Sequence, residues 1–83
     1  MDDMVHFGDM LQERGIDRRW VDLAIDGPDR TEDHGDGTRH FIKQIPEFGD
    51  RWLRVVVNVR VTPQLRVTAF FDRRLRRQEC GSK

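Results

Sequence analysis

The chain has 83 residues, 36% of them hydrophobic and 36% charged, with a formal net charge of zero and a pI near 6.8. That length gives room for one domain, which buries only roughly 60 to 65% of its unfolded surface and so has a thin core. Two Trp, five Phe and the run Val55-Val56-Val57 argue against disorder. The single cysteine, Cys80, excludes an intramolecular disulfide and a CxxC zinc site, which fits a reducing, cytoplasmic compartment. The acidic start Met1-Asp2-Asp3 lacks the apolar run of a signal peptide, and no segment has the length of a membrane span.

Charge is unevenly distributed. Residues 1–36 carry 11 acidic and 4 basic side chains (−7), and residues 37–83 carry 4 acidic and 11 basic ones (+7). Thirteen of the fifteen basic residues are Arg, the side chain suited to bidentate contact with phosphate or carboxylate. One account of this asymmetry is mutual attraction between the halves, or solvation of an exposed sheet. The other is a phosphate-binding surface.

In chain order, Asp2 or Asp3 is placed to cap a first helix whose apolar stripe is Met4, Phe7 and Leu11. Gly15 ends it, with Ile16 as the apolar contact beyond the cap. Asp17 caps a second helix with Val21, Ala24 and Ile25 on one face, which Gly27-Pro28 stops. From Asp29 the period becomes two. Asp29 to Glu32 is a short strand, Asp33 to Gly37 a turn, and Thr38 to Ile45 a second strand. Pro46 to Asp50 is a loop, Arg51 to Val61 the strongest strand, Thr62-Pro63-Gln64 a connection, and Leu65 to Phe71 the last strand. Connections this short require antiparallel neighbours. The expected fold is α+β, an N-terminal αα-hairpin packed on a three- to four-stranded antiparallel sheet, with residues 1–74 as one domain and 75–83 as a charged tail.

Alternation assigns Leu53, Val55, Val57 and Val59, with Leu65, Val67, Ala69 and Phe71, to the face under the helices. The opposite face then carries Arg54, Val56, Asn58 and Arg60 beside Arg66, Thr68 and Phe70. Arginines, a hydroxyl and an aromatic ring on one open sheet face suit phosphates and bases. They equally describe an ordinary solvated sheet face.

His6 is the titratable group best suited to proton transfer near neutral pH, with Arg14 further along the same helix; a helix histidine bonded to its own backbone is the plainer account. His34 sits in a turn and His40 in a strand. No metal-ligand spacing links the three histidines and Cys80, so neither a metal nor another cofactor is expected.

The run His6-Phe7-Gly8-Asp9-Met10-Leu11-Gln12-Glu13-Arg14-Gly15-Ile16, with Trp20-Val21, Ile25-Asp26-Gly27-Pro28-Asp29, Trp52 to Val57 and Val67-Thr68, resembles the bacterial family known as domain of unknown function 4258. Met10 departs from it, standing where many members carry a second arginine. The resemblance implies a layout similar to barnase, EndoU, colicin ribonucleases and RelE-type toxins, and with it metal-independent RNA cleavage. His6 would then be the acid or base, Arg14, Arg54 and Lys43 would hold the phosphate, and Thr68 would donate a hydrogen bond. Arg66 and Phe70 would extend the substrate platform. The balanced charge favours a second reading, a non-catalytic module whose arginine-rich sheet face binds an acidic protein, a cognate antitoxin among them, or its own copy. A monomer or a homodimer fits both.

Overall fold

The structure, a computed structural model, describes residues 1–75. Its elements are β1 (Asp2–Asp3), α1 (Phe7–Arg14), α2 (Arg18–Asp26), β2 (Arg30–Asp33), β3 (Thr38–Ile45), β4 (Arg51–Asn58) and β5 (Leu65–Phe71), with 3-10 turns at Pro46–Phe48 and Arg73–Leu75. The strands form one sheet in the order β1-β5-β4-β3-β2. Among the described residues no helix is long and apolar enough to cross a membrane.

This corrects the expected architecture. The sheet has five strands and is mixed, because β1 pairs with β5 in parallel, Asp2 opposite Leu65 and Asp3 opposite Arg66. The aspartates expected to cap a helix are therefore strand residues. The helix begins instead at Phe7, with His6 at its N-cap and no side-chain cap bond. Nor do the two helices form an N-terminal hairpin on a small antiparallel sheet: α1 packs against β5, while α2 lies across β3 and β4. The RelE- and barnase-like layout falls with that hairpin.

The helix ends follow local chemistry. Gly15 closes α1 in the left-handed region at φ 67°, and its N–H and that of Ile16 bond back to Gln12 and Leu11. Asp17 caps α2 by accepting from the Arg19 N–H. At the C-terminal end of α2, Lys43 donates to the Gly27 carbonyl, where a cation also meets the negative end of the helix dipole.

Phe7, Leu11, Ile16, Val21 and Ala24 from the helical segment meet Ile45, Leu53, Val55, Val57 and Ala69 from the sheet in one core. The expected strand alternation holds from Leu53 to Val57. It fails on the partner strand, where a register shift between Val56 and Val57 leaves Val67 unpaired and sets Arg66 opposite Val57. Arg66 thus turns to the helix side, where it bonds Asp3 and Asp22, and leaves the face assigned to it with Arg54. That other face is not open either. The Arg73–Leu75 turn packs on β4, Ile42 is fully buried and Arg54 is only 6% exposed. The tail expected from residue 75 lies, from residue 76 and including Cys80, outside the described residues.

Leu53 sits in the middle of this core with no exposed surface. Leu53→Ala is expected to cost about 2–5 kcal/mol, a large part of what so small a domain has. Val5→Ala, at a residue 88% exposed, should stay within about 0.5 kcal/mol. Urea unfolding of the two variants checks this, and comparable losses would contradict the placement of the core.

Candidate functional site

The structure brings some of the expected site residues together and separates others. Arg14, at the end of α1, donates through Nη1 to the Ala69 carbonyl (2.8 Å) and to Thr68 Oγ1 (3.4 Å), while the Thr68 hydroxyl lies 3.1 Å from Met10 Sδ. Arg14 and Thr68 thus join α1 to β5, and Met10 is part of that joint. His6 is at the opposite end of α1. Eight residues of helix rise put about 12 Å between its backbone and that of Arg14. Its side chain is 86% exposed, with Asp9 3.8 Å away. Lys43 is bonded to the end of α2 and Arg66 to the aspartates on the helix side, as described above. Phe70 is half-buried beside Arg54 on β5.

Where β4 begins and β5 ends, the surface sinks into a groove of about 630 Å³, within the usual volume of small-ligand sites. Three elements bring arginines to it: Arg14 from α1, Arg51 from the start of β4 and Arg73 from the turn after β5. Trp52, Phe70 and Phe71 supply aromatic surface, and Asp50 and Asp72 are its acidic residues. No histidine lines it.

Local backbone and ring packing place these groups. Gly49 and Asp50 both adopt left-handed backbone, φ 69° and 58°, which turns the chain sharply from the Pro46–Phe48 turn into β4 and sets Arg51 at the groove. Trp20 and Phe48 join the groove residue Phe71 in an aromatic cluster with centroids 4.9 to 6.0 Å apart. Trp20 is anchored to Glu47 through its indole N–H, and the Arg51 guanidinium lies over the Phe48 ring at 5.0 Å. Arg14 and Phe70 belong to this groove and were expected in the site. Arg51 and Arg73 were missed, since nothing in strand alternation marks the ends of two neighbouring strands as one place; the antiparallel pairing that makes them so was the available signal.

Next to the groove an ion-pair cluster surrounds the buried Arg54. Arg54 Nε donates to Asp72 Oδ2 (2.9 Å), and Nη1 donates to Glu32 Oε1 (2.9 Å) and to His40 Nδ1 (2.8 Å). His34 stacks on His40 at 3.8 Å, with its Nε2 3.3 Å from the same Glu32 oxygen. Glu32, His34 and His40 therefore bring ligand-type atoms within 4.8 Å of one another, a grouping that sequence spacing did not suggest and that the Glu32–His40 strand pairing creates. Arg54 already supplies the cation this group surrounds. A divalent ion bound here would lie close to the Arg54 guanidinium, which shares Glu32 and His40 with it. Arg54, expected as a substrate-binding residue on an open face, is thus committed to internal partners.

The cluster perturbs its own titrations. Burial pushes the His40 imidazole down from its ordinary value, and the charges of His34 and Arg54 add to this against Glu32 and Asp36. The Arg54 hydrogen bond holds Glu32 below the ordinary carboxylate range, burial opposing and His34 helping. For Asp72, burial pulls upward but is outweighed by hydrogen bonds from Arg74 and Arg54, so its carboxyl is also low.

These directions fix the pH dependence of stability. His40 is lower in the folded chain than its unfolded value near 6.5, so the unfolded chain takes up that proton first. Its contribution is present above about pH 6.5 and is lost as pH falls below it. Asp72 and Glu32 contribute above about pH 4 and lose that contribution in acid. His40→Gln keeps an acceptor for Arg54 without the titration. Urea unfolding between about pH 7 and pH 5 should show falling stability in the wild type and a flatter profile in the variant; parallel profiles would refute this role for His40.

Comparison with known proteins adds the family and nothing finer. No curated protein and no solved structure matches the chain. A family model described as domain of unknown function (DUF4258) matches residues 5–71, a span running from the lead into α1 to the last residue of β5, and the chain belongs to that family.

Proposed function

We propose that this protein is a non-catalytic binding module that holds an anionic partner in the groove between α1 and the paired ends of β4 and β5. The observation that carries the reading is the convergence of Arg14, Arg51 and Arg73 on one concave, partly aromatic surface. Arg14, bonded to a carbonyl and a hydroxyl, and Arg51, resting on the Phe48 ring, bring positive charge to a single groove in a chain of zero net charge. Asp72 does little to cancel it, because its carboxylate is paired with Arg54 and Arg74.

The same geometry weighs against placing RNA cleavage in this groove. Metal-independent cleavage needs an acid and a base within reach of one phosphate. The groove offers arginines and two carboxylates, while His6 is exposed at the far end of α1. The arginine-rich sheet face expected from strand alternation does not form, since Arg54 is buried and Arg66 lies on the helix side, and the groove takes its place in this proposal.

The test is retention on immobilised heparin at low salt, with Arg51→Ala as the variant, because the Arg51 side chain is exposed and its removal should leave the fold intact. A lost charge-assisted contact should weaken binding at least roughly tenfold and lower the salt needed for elution. Unchanged elution, or no retention of the folded wild type, would sink the proposal. Incubation with total RNA should leave it intact. Cleavage by the wild type that disappears in His6→Ala would instead establish a nuclease.

A further inference from the structure

The groove is specific in a way that net charge does not capture. Its cations and its aromatic rings are interleaved along the chain: Arg51 precedes Trp52, and Phe70 and Phe71 precede Asp72 and Arg73. Strand pairing sets the start of β4 against the end of β5, with Leu53 opposite Phe71 and Arg54 opposite Phe70. Guanidinium groups and ring surfaces therefore meet over a short distance where the groove wraps the strand ends, Phe71 on the helix side and Phe70 on the other face. Trp20 and Phe48 pack against Phe71, and Arg51 is held over the Phe48 ring.

An acidic peptide could satisfy the arginines. Its carboxylates have no planar face, however, and would leave Phe70 and Trp52 unused. A double helix offers phosphates but keeps its base faces stacked inside. A single strand of nucleic acid presents a phosphate and an unstacked base at every step, the combination that arginines with aromatic platforms take up. We propose that the anionic partner is single-stranded nucleic acid, its phosphates held by Arg14 and Arg51 and a base stacked at Phe70. This rests on the groove reading above and deepens it.

The experiment measures binding of the whole chain to fluorescently labelled RNA and DNA octamers. Comparators are an abasic octamer with the same phosphates, a duplex, and polyglutamate as competitor. Base stacking is expected to make the single-stranded octamers bind about 5- to 150-fold tighter than the abasic one. The tighter of RNA and DNA identifies the natural strand. Phe70→Leu should weaken octamer binding and leave abasic binding unchanged. Since that variant could also disturb β5, tryptophan fluorescence of the wild type gives a second readout: octamers should quench it and the abasic strand should not. With about two phosphates neutralised, by Arg14 and Arg51, log affinity should fall with log salt at a slope of about −1.4.

Equal binding of abasic and normal octamers, equal binding of the duplex, or full competition by polyglutamate would overturn the nucleic-acid assignment while leaving an anion-binding groove in place. Failure of every anionic probe to bind the folded protein would remove the groove reading itself.

Discussion

A guanidinium removed from water costs several kcal/mol unless its charge is paired and its donors are met, and Arg54 is 6% exposed in the middle of the sheet. Everything around it serves that requirement. Glu32 reaches it from β2, His40 from β3 and Asp72 from just beyond β5. Asp72 in turn accepts from the backbone N–H of Arg74 and its own N–H donates to the Trp52 carbonyl, which fixes the Arg73–Leu75 turn against β4. The charge pattern thus does what a second hydrophobic layer would do in a larger domain. It covers the sheet face that the two short helices cannot reach, at the cost of demanding several polar partners in register.

The other organising constraint is the edge at β5. A bare edge strand invites pairing with other chains, and here two devices cover it. The two residues of β1 pair beside Leu65 and Arg66, and further along Arg14 caps the Ala69 carbonyl from α1. The bulge in β5 connects the two. By turning Arg66 toward the helices it lets Asp3 and Asp22 bind one guanidinium, which ties β1 and α2 to the same strand. The opposite edge, β2, is short and charged, with Arg30, Glu32 and Asp33 among its four residues, another common way to discourage edge pairing.

These two features explain what the sequence disclosed and what it hid. Thr38–Ile45 and Leu65–Phe71 emerged with the boundaries read from residue pattern, and Gly15 and Asp17 ended and began helices as their chemistry dictates, because each depends on neighbours a few residues away. The N-terminal strand was hidden because Asp2 and Asp3 have poor strand propensity and pair with β5 more than sixty residues later, where Arg66 binds Asp3. The fate of Arg66 was hidden because a single unpaired residue, Val67, inverts the alternation before it. Arg54 read as a surface cation because three of its partners come from other strands or from beyond them. For the site, Arg14 and Phe70 were legible and the groove was not, since it arises where two strand ends and a helix end meet.

The division of charge along the chain then has a structural meaning. The acidic first half and basic second half meet across the fold at three arginines: Asp33 pairs with Arg39, Glu32 with Arg54, and Asp3 and Asp22 with Arg66. The bland account of the asymmetry, mutual attraction of the halves, is therefore correct for these arginines. It does not extend to Arg51, whose guanidinium rests on an aromatic ring, nor to Arg14, which meets a carbonyl and a hydroxyl. Bonds to neutral groups leave a guanidinium's charge in place, whereas carboxylates cancel it. Acidic residues thus neutralise arginines that hold the sheet together, while Arg14 and Arg51, where α1, β4 and β5 converge, have neutral groups as their partners among the described residues. A protein of zero net charge can in this way carry a local positive site without the solubility and self-repulsion consequences of a basic surface.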